Sequence, residues 1–247
     1  MIRRNLANAV TCLNLVCGCL SILYCIRVDL QTAALFIIAA SIFDFLDGFV
    51  ARLANSYSPL GKELDSLADV VSFGVAPGFI LFALFFYDSN FLGIDFDPMK
   101  NWYSFAAFLL PCGSALRLAK FNIDTRQSEG FIGVPVPSMS FIVAALPFII
   151  FDDHTPEWLS NFLVHPITLI FLILGLCYLM LSELKLLSLK FKTWDFASNK
   201  SRYILLGVGA ILLVLLQFRG LPLIILAYII ISLMGRDSIH RTTESNS

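Results

Sequence analysis

Stretches of about twenty consecutive apolar residues recur along this chain, and they constrain its fold more than any other feature. At 1.5 Å rise per residue a helix of that length crosses a hydrocarbon layer of about 30 Å. Strands of a membrane barrel would instead alternate polar and apolar residues over about ten positions. Composition agrees: 58% of the 247 residues are hydrophobic and 14% charged, whereas a soluble domain carries about a quarter charged residues. The expected fold is an all-α polytopic transmembrane helical bundle. Apolar runs read against polar breaks give about eight spans, near 6–26, 32–54, 63–86, 102–121, 136–151, 165–182, 203–218 and 221–235. Only Arg219-Gly220, with Pro222 next, separates the last two, which read as a helical hairpin.

The expected organisation is a membrane core over 1–182, a linker over 183–202, a transmembrane hairpin over 203–236 and a disordered polar tail over 237–247. In the linker Lys185, Lys190, Lys192, Lys200 and Arg202 interleave with Leu186, Leu187, Leu189, Phe191 and Trp194, a pattern suited to lying on an anionic leaflet. With eight crossings, fourteen of the seventeen Lys and Arg fall on one side, leaving Arg27, Lys100 and Arg219 on the other. By the positive-inside rule both termini are cytoplasmic, in a multi-pass protein of the cell (inner) membrane. A net charge of -1 offers no basic field for a nucleic acid. All six cysteines lie in apolar runs and read as packing residues, and His154, His165 and His240 read as solvated.

Carboxylates inside apolar spans are expensive and point to function. Asp44 and Asp47 lie three apart near the end of the second span, and Asp65 and Asp69 four apart at the start of the third. Those spacings put each pair on one helix face. A turn at 55–60 makes the two helices antiparallel neighbours, so all four groups can converge near the cytoplasmic mouth. Converging carboxylates need cations to stay ionised. Oxygen donors without Cys or His favour Mg²⁺, Mn²⁺ or Ca²⁺, and two such ions about 3.5–4 Å apart would clamp a pyrophosphate. Gly48 and Ala51 leave room for a substrate backbone, Arg52 offers a bidentate phosphate donor, and Gly61 and Lys62 open the third helix toward an anion. A plain helix-end role is disfavoured by the depth of Asp44. A cation-coupled transporter, the out-of-class alternative, is disfavoured because no broken helix pair recurs in the two halves.

The pattern Asp44-x2-Asp47-Gly48-x2-Ala51-Arg52-x8-Gly61-x3-Asp65-x3-Asp69 resembles the signature of the CDP-alcohol phosphatidyltransferase family, and the likeness covers roughly residues 5–185. The resemblance implies a six-helix core and attack of an alcohol on the β-phosphorus of a CDP-linked lipid, with release of CMP. It also implies metal-holding aspartates, Asp69 as general base, and a homodimer. The stretches 63–78, 115–122 and 131–138 are similar to the family's serine-transferring branch, so the expected substrates are CDP-diacylglycerol and L-serine. Ala7-Asn8 stands where Pro-Asn is usual in the family, and Lys120 where Arg is commoner. Acceptors such as glycerol phosphate or an inositol phosphate remain alternatives.

Serine carries both a carboxylate and an ammonium, so its site needs a fixed cation. Arg117 and Lys120, three apart at the inner end of the fourth span, with Asn122 as polar neighbour, could supply it. The competing reading makes the two cations interfacial anchors. Thr11 and Asn14, polar within the first apolar run, either reach the cytidine and phosphates or bond neighbouring helices.

Overall fold

Small residues govern how the first two helices meet. In the computed structural model, which describes residues 2–53, 58–86, 101–124, 131–187 and 195–244, helix α1 (Ile2–Ile26) packs along α2 (Leu30–Leu53) in the most extensive helix pair. The buried face of α2 runs Leu30, Ala33, Ala34, Ile37, Ala40 and Asp47, the three- and four-residue stepping of one helix face. Three alanines on that stripe let the backbones approach, the usual device where lipid gives no hydrophobic drive for helix association. Large apolar side chains point the other way: Phe45 is 67% exposed, Phe171 72% and Val214 81%. Outward apolar and inward small or polar residues are the arrangement of a multi-pass membrane bundle.

The third apolar stretch is a composite. Helix α3 (Pro59–Asp69) runs into a π turn, Val70–Val75, and then α4 (Ala76–Leu84). Pro77 has no N–H, and its ring crowds the carbonyl four residues back. The backbone widens there, and the Ala76 N–H bonds Val71 five residues back. The π turn seats Ser72 against α1, where a Cβ on Gly18 would lie 2.5 Å from Ser72 Oγ and 2.8 Å from its Cα. Ser72 Oγ donates to the Asn14 carbonyl at 2.9 Å.

A 3-10 segment, Trp102–Phe108, leads into α5 (Leu109–Ile123), whose Ser114 and Pro111 pack on Gly74 and Gly78. Strand β1 (Phe131–Ile132) precedes α6 (Val136–Ile150), α7 (Glu157–Val164) and α8 (Pro166–Leu181). Strand β2 (Lys185–Leu186) returns antiparallel to β1, pairing Ile132 with Lys185. Helix α9 (Phe196–Leu216) and α10 (Leu221–Glu244) are joined by the turn Gln217–Gly220. They fold back on each other, since a Cβ on Gly209 would lie 3.8 Å from Ile224. The Phe148 ring packs at a tilt against Phe218 at this turn, and Arg219 pairs with Asp152.

The expected count of eight spans is not reproduced by helix length. Among the described residues four stretches are long and apolar enough to cross, Leu6–Ile26, Leu30–Leu53, Pro59–Leu84 and Asn199–Leu233, the last containing the folded-back hairpin; the α7–α8 pair, bent by 63°, makes a fifth if taken as one. At 15 residues, α6 is shorter than a bilayer core requires. The stretch 152–164, between the expected spans 136–151 and 165–182, contains α7, and α9 begins inside the expected linker. Helix α10 continues to Glu244, through the expected break at 237. Parts of the predicted turn at 55–60, of the stretch between the expected spans 63–86 and 102–121, and of the linker lie outside the described residues.

The α1–π-turn crossing yields a stability prediction. Gly18→Ala places a methyl against Ser72 backbone and should lower the melting temperature of the purified protein by the equivalent of about 1–3 kcal/mol, the usual scale of overpacking. Gly207→Ala, in open space, should be neutral or stabilising by up to about 1 kcal/mol, because alanine restricts the unfolded chain.

Candidate active site

The packed faces of α2 and α3 each end in acids. On α2 the stripe of buried alanines extends through Asp44 to Asp47; on α3 Asp65, Ala68 and Asp69 share the face continued by Ser72 in the π turn. Carboxylate oxygens of Asp44, Asp47 and Asp65 lie within 4.8 Å of one another. Asp69, 8% exposed, sits one turn deeper and within electrostatic reach of the other three.

Helix α1 braces both pairs. Thr11 Oγ1 lies 2.6 Å from Asp47 Oδ2 and donates to it, while Asn14 Nδ2 donates to Asp69 Oδ1 at 3.1 Å. Both side chains are therefore helix-bridging and at the site at once. Among the described residues, the buried Asp65 Oδ1 has no hydrogen-bond partner. An all-oxygen set with an unpartnered acceptor fits a hard divalent cation, and Asp44, Asp47 and Asp65 could hold one.

Beside the carboxylates opens a cleft of about 210 Å³ lined by Ala7, Asn8, Thr11, Asp47, Gly48, Ala51, Ser58, Gly61, Lys62 and Asp65. Its floor is shaped by glycines: a Cβ on Gly48 would lie 3.5 Å from Arg52 Nη1, and one on Gly61 would lie 3.2 Å from Asn8 Oδ1. Ser58 caps α3 by accepting from the Gly61 N–H at 3.0 Å, with Pro59 at the first helical position. Lys62 Nζ donates to the Asn122 carbonyl at 3.1 Å, tying the end of α5 to the start of α3. Lys62 is exposed on the cleft, whereas Arg52, also exposed, lies beside Gly48 and does not line it.

A second, smaller pocket of about 30 Å³ lies at the end of α5, lined by Arg117, Lys120, Asp124, Ile132, Met180, Leu181, Ser182 and Glu183. Arg117 is 6% exposed, its guanidinium stands 4.8 Å from the Phe121 ring centre, and among the described residues its Nη2 has no hydrogen-bond partner. Asp69 lies within its electrostatic reach. Lys120 is exposed on the same pocket. Asn122 does not line it; its Nδ2 donates to Ser66 Oγ at 2.8 Å. Asn14 reaches Asp69 but does not line the larger cleft. Sequence reasoning missed Asn8 and Ser58 as cleft residues. Asn8 falls on the Thr11 face of α1, three residues before it, and Ser-Pro at 58–59 is a helix-start signal.

Acids gathered inside apolar helices, beside a cleft open to an anion, define a membrane-embedded enzyme built for phosphoryl chemistry. The CDP-alcohol phosphatidyltransferase family model matches residues 4–187, and the chain belongs to that family. Among relatives, it is 36% identical over 172 residues to a CDP-diacylglycerol–serine O-phosphatidyltransferase of Bacillus subtilis, covering 70% of this chain and 84% of that one. A protein of the same name from Saccharomyces cerevisiae is 38% identical over 208 residues, covering 74% and 70% respectively. Another, from Methanocaldococcus jannaschii, is 36% identical over 180 residues, covering 73% and 72%.

The carboxylate cluster predicts cation-linked stability. Millimolar Mn²⁺ or Mg²⁺ should raise the melting temperature, since a ligand at about a hundred times its Kd adds about 2.7 kcal/mol. Asp65→Asn and Asp47→Asn should remove most of that rise. A wild-type melting curve indifferent to both ions would count against a cation site.

Proposed function

We propose that this enzyme transfers the phosphatidyl group of CDP-diacylglycerol to L-serine, giving phosphatidylserine and CMP. The observation that carries the acceptor assignment is Arg117, a buried guanidinium that lines a small pocket, lies within electrostatic reach of Asp69, and among the described residues has an Nη2 with no hydrogen-bond partner. A fixed cation there suits an alcohol bearing a carboxylate. The relatives, named as serine O-phosphatidyltransferases, support the same acceptor.

The donor's pyrophosphate would occupy the cleft between α1, α2 and α3. Gly48, Ala51 and Gly61 leave space for it, Thr11 and Asn14 hold the carboxylates in register, and Lys62 on the cleft and Arg52 beside Gly48 supply charge. Asp44, Asp47, Asp65 and Asp69 would hold the divalent cation, Mg²⁺, Mn²⁺ or Ca²⁺, which when bound neutralises pyrophosphate charge. Asp69 accepts the serine hydroxyl proton as oxygen bonds the β-phosphorus. The bond from that phosphorus to the bridging oxygen breaks, and CMP departs with the electron pair. Lys120 adds positive charge at the acceptor pocket, while Asn122 acts indirectly by joining Lys62 and Ser66. We also infer a homodimer in the cell (inner) membrane, with both termini and the active site facing the cytoplasm.

Purified protein given CDP-diacylglycerol, Mn²⁺ and serine should release CMP and form phosphatidylserine; product only with glycerol phosphate or an inositol phosphate would replace serine as acceptor. Arg117→Ala should lower kcat/KM for serine roughly tenfold to a hundredfold, the loss of one charge-assisted contact of about 1.5–3 kcal/mol. CDP-diacylglycerol binding should change much less, and equal losses for both substrates would move Arg117 out of the acceptor site. Asp69→Asn keeps the size but removes the basic oxygen. Single-turnover CMP release should fall at least about a hundredfold with CDP-diacylglycerol still bound, and near-normal turnover would exclude Asp69 as the base.

A further inference from the structure

The family match ends at residue 187, and the α9–α10 hairpin beyond it has no part in the chemistry above. Helix α10 nevertheless grips the chain at that residue. Tyr228 Oη donates to the Leu187 carbonyl at 3.0 Å, and the Leu187 N–H donates to Ser232 Oγ at 3.2 Å. Tyr228 and Ser232 are four apart, so one face of α10 satisfies both main-chain groups of Leu187. Both side chains are buried, at 7% and 5% exposure, on a helix whose other residues in this stretch are apolar.

Leu187 continues β2, and β2 belongs to a connected wall. The Gly133 N–H donates to the Leu184 carbonyl at 2.8 Å and the Val134 N–H to the Leu179 carbonyl at 3.1 Å. Gly133 has φ +74°, and a Cβ there would lie 2.4 Å from the Met180 carbonyl oxygen, so only glycine fits the crossing. Ile132 and residues 180–183 of this wall face the pocket that Arg117 enters. Arg117 also lies within electrostatic reach of Tyr228.

We propose that α10, through Tyr228 and Ser232, clamps the β1–β2 ribbon and so sets the shape of the Arg117 pocket, making both side chains positioning residues for the acceptor alcohol. The clamp stands on the hydrogen bonds; its effect on the acceptor rests on the proposed role of Arg117. Loss of the two hydroxyls frees both main-chain groups of Leu187, lets the ribbon open, and leaves the carboxylates of α2 and α3 untouched.

The test uses the full chain in lipid nanodiscs, as wild type, Tyr228→Phe, Ser232→Ala, the double variant and Ser232→Thr. Amide exchange at 132–134 and 184–187 should quicken at least about tenfold in the double variant, as expected when local opening becomes easier, with α2 and α3 unchanged. Serine KM should rise about fivefold while kcat and CDP-diacylglycerol KM stay within about twofold. Ser232→Thr, which keeps a hydroxyl, should behave as wild type in both measurements. Unchanged exchange in the double variant overturns the clamp. Faster exchange with unchanged serine KM, or equal shifts for both substrates, overturns the positioning role. Wild type that releases no CMP with serine overturns the acceptor assignment, while the exchange rates still decide the clamp.

Discussion

Carboxylates held together inside an apolar bundle repel one another and lose hydration, so the surrounding helices must provide donors and deny the acids room to separate. Here α1 performs both tasks. Thr11 and Asn14 donate to Asp47 and Asp69, one on each of two partner helices, so a single helix holds the spacing between the pairs. That spacing needs α1 close to both, and the alanines of α2 and the Gly18–Ser72 contact supply the approach. Bulk at Gly18 would push α1 away from the π turn and carry Asn14 with it, since the Asn14 carbonyl accepts from Ser72. Packing and site geometry are one problem in this part of the molecule.

The π turn links them a second time. Pro77 excludes an ordinary helical bond, and the widened turn just after Asp69 brings Ser72, Phe73 and Gly74 into the core. Within an apolar medium backbone groups must find partners nearby, and the Ala76 N–H finds its own five residues back, at the Val71 carbonyl. Asp69 is thus the last α-helical residue before an irregular turn, a common place for functional side chains.

The convergence of acids could be read from the sequence because it depends on local spacing: Asp44 and Asp47, or Asp65 and Asp69, must share a face if their segments are helical. The hairpin at Arg219-Gly220 was legible for a similar reason, with Gly and Pro marking the break. Features set by contacts between distant segments were not. No periodicity announces the two-residue ribbon, because the Gly133–Leu184 bond joins positions about fifty residues apart in the chain. Sequence distance makes Asn122 a neighbour of Arg117, yet it closes on Ser66 and Lys62 of another helix. Helix length does not confirm the count of eight spans: α6 is as short as its apolar run, and hydropathy gave no sign of the 63° bend between α7 and α8.

The two pockets offer different kinds of cation, and the difference bears on selection among acceptors. Lys62 on the larger cleft and Arg52 beside Gly48 are exposed, so water and salt weaken their fields. On the proposed function, such groups would draw in a pyrophosphate and still let CMP leave. Arg117 is buried and braced against Phe121, so its fork loses little freedom when it binds a planar anion. On the proposed function, an acceptor without a carboxylate or phosphate would leave the buried Nη2 of that guanidinium without a partner, a penalty larger than the contact it forgoes. On the proposed reading, discrimination among alcohols therefore arises less from attraction to serine than from the expense of seating anything that cannot answer Arg117. That mechanism requires the pocket wall to stay closed, because an open wall would let water solvate the guanidinium and remove the penalty.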